Sequence, residues 1–70
     1  MTKNKEELVH DATVLADDVE DCAYTIMQNL KKNNFEDAEW ATEELKRYAY
    51  DLERVMEKLR ELTDDERTDA

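Results

Sequence analysis

Apolar residues recur with a heptad period along two stretches of the chain, one from 8 to 26 and one from 38 to 62. This pattern is typical of an α-helix that packs on another helix along one stripe. The a positions are Ala12, Val19, Ile26, Ala38, Leu45, Leu52 and Leu59, and the d positions are Leu8, Leu15, Cys22, Ala41, Tyr48, Val55 and Leu62. The sequence therefore predicts an all-α fold, an antiparallel helical hairpin.

The predicted boundaries rest on polar capping residues, because the chain contains no Gly and no Pro. Asn4 is a suitable N-cap with Glu7 three residues later, and Asn33 and Asn34 tolerate turn conformations. We predict an N-terminal extension over 1–4, helices over 5–32 and 35–63 joined by a turn at 33–34, and a disordered acidic tail over 64–70.

The register of the hairpin follows from pairing each a residue with a d residue of the other helix. One register serves every pair and places the turn at Asn33 and Asn34, where the polar break falls independently. It pairs Leu8 with Leu59, Ala12 with Val55, Leu15 with Leu52, Val19 with Tyr48, Cys22 with Leu45, and Ile26 with Ala41. Large residues often meet small ones, as interdigitating core layers require.

The e positions carry a second apolar stripe along one edge of the hairpin. This stripe, which we call the seam, consists of Val9, Ala16, Ala23, Leu30, Phe35, Ala49 and Met56, with Thr42 interrupting it. An apolar edge needs cover, and a second copy of the chain would supply it. We predict a homodimer, in which two hairpins form a four-helix bundle.

The opposite edge, at the g positions, is acidic. It carries Asp11, Asp18, Asp37, Glu44 and Asp51, together with Thr25 and Lys58. Like charges that face each other across a helix pair destabilise it, so stability alone does not favour this edge. A function in binding would account for it.

Two apolar side chains lie within the acidic edge, each between two carboxylates. Val14 has Asp11 and Asp18 on either side, and Trp40 is flanked in the same way by Asp37 and Glu44. An aromatic anchor surrounded by charge is a common centre of protein interfaces. Our hypothesis is that this edge binds a basic protein. Its acids would replace the phosphates of a nucleic acid, so that the protein inhibits a DNA- or RNA-binding partner.

Other classes of function have less support. A net charge of −10 disfavours direct binding to nucleic acid or to anionic membranes. One His, one Cys and no Ser leave few nucleophile and base pairs, so we predict no enzyme, no cofactor and no metal site. Glu7 and His10 have the spacing of di-iron ligands, but they fall at c and f, away from a bundle interior. With no apolar span, we expect a soluble cytoplasmic protein.

Two alternatives remain open. The acidic edge is equally typical of a solvated surface, which would make the protein a structural or adaptor hairpin without mimicry. The plan of a short hairpin with Leu45, Ala49 and Leu52 at heptad spacing also resembles the Rop-type plasmid regulators. That resemblance implies a dimeric four-helix bundle and binding to paired RNA loops. The cations of the second helix are interleaved with glutamates, which favours ion pairs within the helix over an RNA face.

Overall fold

The protein is a hairpin of two long helices. The computed structural model describes residues 3–68, and the side chains of residues 3–63. Helix α1 spans Lys5–Lys31 and helix α2 spans Phe35–Thr68, and the two pack against each other. The molecule measures 54 × 18 × 16 Å, which is the width of two packed helices and no more. The predicted all-α hairpin is confirmed.

The start of α1 and the connection to α2 use the asparagines that the sequence singled out. The side chain of Asn4 accepts a hydrogen bond of 2.9 Å from the backbone N–H of Glu7, so Asn4 is the N-cap. At the other end of α1, the N–H of Asn34 donates to the carbonyl of Asn29 at 2.8 Å and that of Asn33 donates to Leu30 at 3.1 Å. These two bonds form a Schellman motif, which satisfies the last carbonyls of the helix.

Asn33 is the residue on which the turn depends, since its φ of 61° lies in the left-handed region. We expect Asn33→Ala to destabilise the protein by about 1 kcal/mol, because a Cβ without a compensating polar group is unfavourable there. Asn33→Gly is the matched control and should leave the stability equal or slightly higher, since glycine tolerates positive φ. Thermal unfolding of the three proteins at one chain concentration checks this. A similar melting temperature for the alanine and glycine variants would contradict it.

The core lies along the predicted a and d stripe. All of its residues are buried or half-buried, with Leu8, Ala38 and Ala41 the most enclosed at 3%, 4% and 2% exposure. One surface depression is lined by both Leu15 and Val55 and another by both Cys22 and Ala41, so these residues of the two helices lie at neighbouring levels. None of the described side chains is completely enclosed. Two helices alone cannot surround a core residue on every side.

The end of α2 differs from the prediction. The helix continues to Thr68, whereas the sequence analysis ended it at 63 and assigned 64–70 to a disordered tail. Acids near the negative end of the helix are unfavourable, but they do not end it here. Glutamate and arginine are good helix formers, and no Gly or Pro stops the chain here. Residues 1–2 and 69–70 of the predicted terminal segments lie outside the described part of the chain.

Candidate protein-binding site

Trp40 is the most exposed of the large hydrophobic side chains that the structure describes, at 68%. Beside it lies a shallow depression of about 210 Å³ between the two helices. The depression is lined by Asp21, Cys22 and Thr25 from α1 and by Trp40, Ala41, Glu44 and Tyr48 from α2. We call this surface the tryptophan site. Its lining combines apolar side chains and the Trp40 indole with the carboxylates of Asp21 and Glu44.

The sequence explains why the indole stays outside the core. Ala41, the next residue, occupies the d position and is only 2% exposed, so the helix pair is already closed at this level. Trp40 therefore lies at the edge of the helix pair, with Asp37 and Glu44 about one turn away on either side. Asp37 is exposed and Glu44 is half-buried. The 68% exposure of the indole argues against a position folded over the hairpin tip.

Three nearby carboxylates act together on the thiol of Cys22, which lines the tryptophan site. Burial raises the pKa of the Cys22 thiol, and the negative charges of Glu44, Asp18 and Asp21 raise it further. The thiol therefore stays protonated and a weak nucleophile at neutral pH. The same three charges create a negative potential at this part of the surface, which favours a cationic ligand.

The acidic edge has a different character near the open end of the hairpin. There a wider depression of about 570 Å³ brings Asp11 and Asp51 together with basic side chains. Lys3 forms an ion pair with Asp11, and the hydrogen bond and charge of Asp11 raise the pKa of the Lys3 ammonium. The remaining lining is His10, Val14, Leu15, Arg54, Val55 and Lys58. Charges of both signs thus offset each other at this end.

The seven residues predicted to bind a partner fall into two groups. Asp18, Asp37, Trp40 and Glu44 lie at or next to the tryptophan site, whereas Asp11, Val14 and Asp51 belong to the mixed-charge end. Val14 is 46% exposed, and it also lines another surface depression together with Asp17 and Glu20. Glu44 has an ion pair of 3.6 Å with Arg47, whose side chain is 76% exposed.

The sequence analysis missed Asp21 and Lys3. Asp21 occupies the same c position as Val14, one heptad later, and that shared position was the signal that could have identified it. Lys3 lies before α1, and heptad position does not describe a residue outside a helix. Its contact with Asp11 therefore required the structure.

The seam lies on the other edge of the hairpin. Its large members are well exposed, with Phe35 at 63%, Met56 at 52%, Leu30 at 48% and Val9 at 47%. Ala16 is exposed, and Ala23, Thr42 and Ala49 are half-buried against the hairpin itself. Large apolar groups thus stand at both ends of the seam, with small residues in the middle. Nothing within the described part of the chain covers them.

Among the described residues, no group of three or more His, Cys, Asp or Glu side chains is placed to hold a metal ion. Neither helix, over the part described, has the apolar length that a bilayer crossing requires. Comparison of the chain with models of protein families, with curated proteins and with solved structures found no match in any of the three.

Proposed function

We propose that the protein is a small acidic regulator that binds the basic surface of another protein, and that two copies form the binding unit. The observation that carries this proposal is the exposed indole of Trp40 beside the carboxylates of Asp21 and Glu44. Tryptophan is among the residues most often found at the energetic centre of protein interfaces. Together with its acidic surroundings, it favours a partner that offers an apolar cleft with lysine or arginine around it.

The charge of the protein supports a basic partner in a second way. A formal net charge of −10 on 70 residues attracts positively charged proteins over distances of about a Debye length, roughly 8 Å at physiological salt. Basic clefts on proteins commonly serve to bind nucleic acid. Asp18, Asp37 and Glu44 would occupy the positions of phosphates there, and the protein would inhibit its partner by competition.

The area of exposed surface supports the dimer. A compact chain of 8.3 kDa is expected to expose roughly 4,600 Å². The hairpin exposes 5890 Å², an excess of roughly 1,300 Å². One partner in a stable interface buries about 800 Å², so a second copy on the seam would remove more than half of the excess. The product would be a four-helix bundle with the two tryptophan sites outside.

The alternative of direct RNA binding has less support. Lys46 lies 3.6 Å from Glu43 and Arg47 lies 3.6 Å from Glu44, so two cations of α2 already have acidic neighbours. These exposed pairs are weak, yet they cancel much of the local positive potential. An adaptor function without mimicry remains the second candidate, and it is favoured by the paired state of Asp11.

The test is affinity capture with the immobilised protein at low and at physiological salt, with release by a duplex DNA or an RNA oligonucleotide. We expect a basic protein to be retained and to be released by the oligonucleotide, since both would occupy one site. Asp18→Lys with Glu44→Lys should weaken retention by about 100-fold, because two attractions become repulsions. Asp11→Lys is the matched control, and its effect should be small because Lys3 already neutralises Asp11.

The other outcomes separate the candidates. Full retention by the double variant at physiological salt would refute the acidic site. Retention that the oligonucleotide does not reverse would refute mimicry and favour the adaptor function. If the immobilised protein itself holds RNA, and replacement of Arg47 and Arg54 by glutamine releases it, the RNA alternative is correct. Circular dichroism of each variant shows whether the helices have remained intact.

A further inference from the structure

The seam alone does not determine how two copies are oriented. From the open end to the turn, its levels are Val9 with Met56, Ala16 with Ala49, Ala23 with Thr42, and Leu30 with Phe35. This order of large, small, small and large residues is the same when it is read backwards. A second copy can therefore match it with its turn at the same end or at the opposite end.

The charges beside the seam are not symmetric. They lie at the b positions, next to the e positions on the outer side of each helix. Going from the open end to the turn, α1 has Glu6, Thr13, Glu20 and Met27, and α2 has Arg60, Glu53, Lys46 and Glu39 at the same levels. All eight side chains are exposed. They are therefore available to face a second copy.

When both turns lie at the same end, α1 of one copy runs antiparallel beside α2 of the other. Glu20 then faces Lys46 of the second copy, and Glu6 faces Arg60. Thr13 faces Glu53, and Met27 faces Glu39, so no like charges meet. The two-fold axis repeats each of these contacts. Lys46 would exchange its exposed contact with Glu43 for one that is partly shielded from solvent.

When the turns lie at opposite ends, the charges fit less well. If α1 lies beside α1, Glu20 faces Glu20 and Lys46 faces Lys46 near the two-fold axis, and Glu39 faces Glu53. Like charges at such positions disfavour a pairing. A parallel placement of α1 beside α2 of the second copy does not arise, because two identical seams that face each other with opposite turns always bring α1 beside α1.

We propose that two copies associate through the seam with both turns at the same end, α1 of each beside α2 of the other. This inference rests on the dimer of the proposed function. It is carried by the complementary charges beside the seam and by the excess exposed area. In this arrangement both Trp40 side chains lie near the same end of the bundle. The dimer would therefore present two tryptophan sites to a single partner or to a pair of identical partners.

Cross-linking of the full chain tests the orientation. All variants carry Cys22→Ala, so that the introduced thiols are the only ones. Chains with Glu6→Cys and chains with Arg60→Cys are unfolded, mixed, refolded and treated with a short bis-maleimide. We expect the mixture to give covalent dimer from up to half of its chains, the statistical share of mixed dimers, and either chain alone to give little. Chains with Glu20→Cys alone should also give little covalent dimer with the reagent.

Light scattering on the same samples separates the two levels of the proposal. A monomeric mass without cross-linking would overturn the dimer itself and with it the orientation. A dimeric mass with cross-linking of Glu20→Cys to itself would overturn the orientation and leave the dimer. A dimeric mass with cross-links between positions 20 and 46 but none between positions 6 and 60 would also contradict the proposal, because both pairs face each other in it.

Discussion

Replacing Ala23 and Ala49 together by glutamate is expected to weaken self-association by more than about 1,000-fold. Both positions lie in the middle of the seam and are already half-buried within one hairpin. The proposed dimer would enclose the added carboxylates of both copies in the middle of one interface, and leaving a charge buried and unpaired costs about 3 to 5 kcal/mol. Neutralisation of the glutamates at low pH should partly restore the dimer. Sedimentation or light scattering over a range of concentrations measures the change.

A matched control is available at the neighbouring positions. Tyr24 and Tyr50 follow the two alanines directly and are 64% and 62% exposed, at f positions that face solvent. Tyr24→Glu with Tyr50→Glu adds the same charge to the same turns of the helices, and it should leave the mass at that of a dimer. An unchanged mass for the alanine variants would show that the seam is not the interface. Equal losses in both double variants would instead indicate a general effect of charge.

Replacing Trp40 by alanine is expected to reduce the affinity for the basic partner by at least about 30-fold, which corresponds to roughly 2 kcal/mol. The indole is the largest apolar group of the tryptophan site, and a partner would remove it from water on binding. The hairpin itself should lose little stability, because the side chain is 68% exposed in the free protein. Titration calorimetry with the captured partner and thermal unfolding together measure the two effects.

Tyr50→Ala is the comparison for this variant, since it removes an aromatic side chain of similar exposure, 62%, from the same helix but outside the tryptophan site. Its affinity should match that of the unaltered protein. A loss of affinity in Trp40→Ala accompanied by a large drop in melting temperature would contradict the interpretation, because the indole would then serve the fold. Equal affinities in both variants would place the partner elsewhere on the surface.

The helices and their pairing could be predicted because the determining interactions are local or strictly periodic. Asn4 caps α1 through a side chain that reaches only three residues along the chain. Asn33 adopts a left-handed conformation that asparagine tolerates better than most residues. The heptad positions, in turn, place Leu8, Ala38 and Ala41 in the core without any knowledge of the turn. Each of these features depends on residue type and spacing alone.

The features that the sequence analysis missed depend on balances between weak terms. The continuation of α2 to Thr68 sets helix propensity against unfavourable charges at the helix end, and both are fractions of a kcal/mol per residue. The contact of Lys3 with Asp11 joins a residue before the helix to one two turns within it. Neither feature produces a periodic pattern in the sequence, so neither could be predicted from residue spacing.

By itself, the sequence determined the all-α hairpin, its turn and the presence of one apolar and one acidic edge. These follow from residue spacing, because the period of a helix converts position in the chain into direction in space. Only the tertiary structure decided that the acidic edge is uneven. Lys3, Arg54 and Lys58 come close to Asp11 and Asp51 at the open end, whereas Asp21 and Glu44 meet beside Trp40 nearer the turn. Electrostatic potential depends on distances between helices, and those distances exist only after the chain has folded.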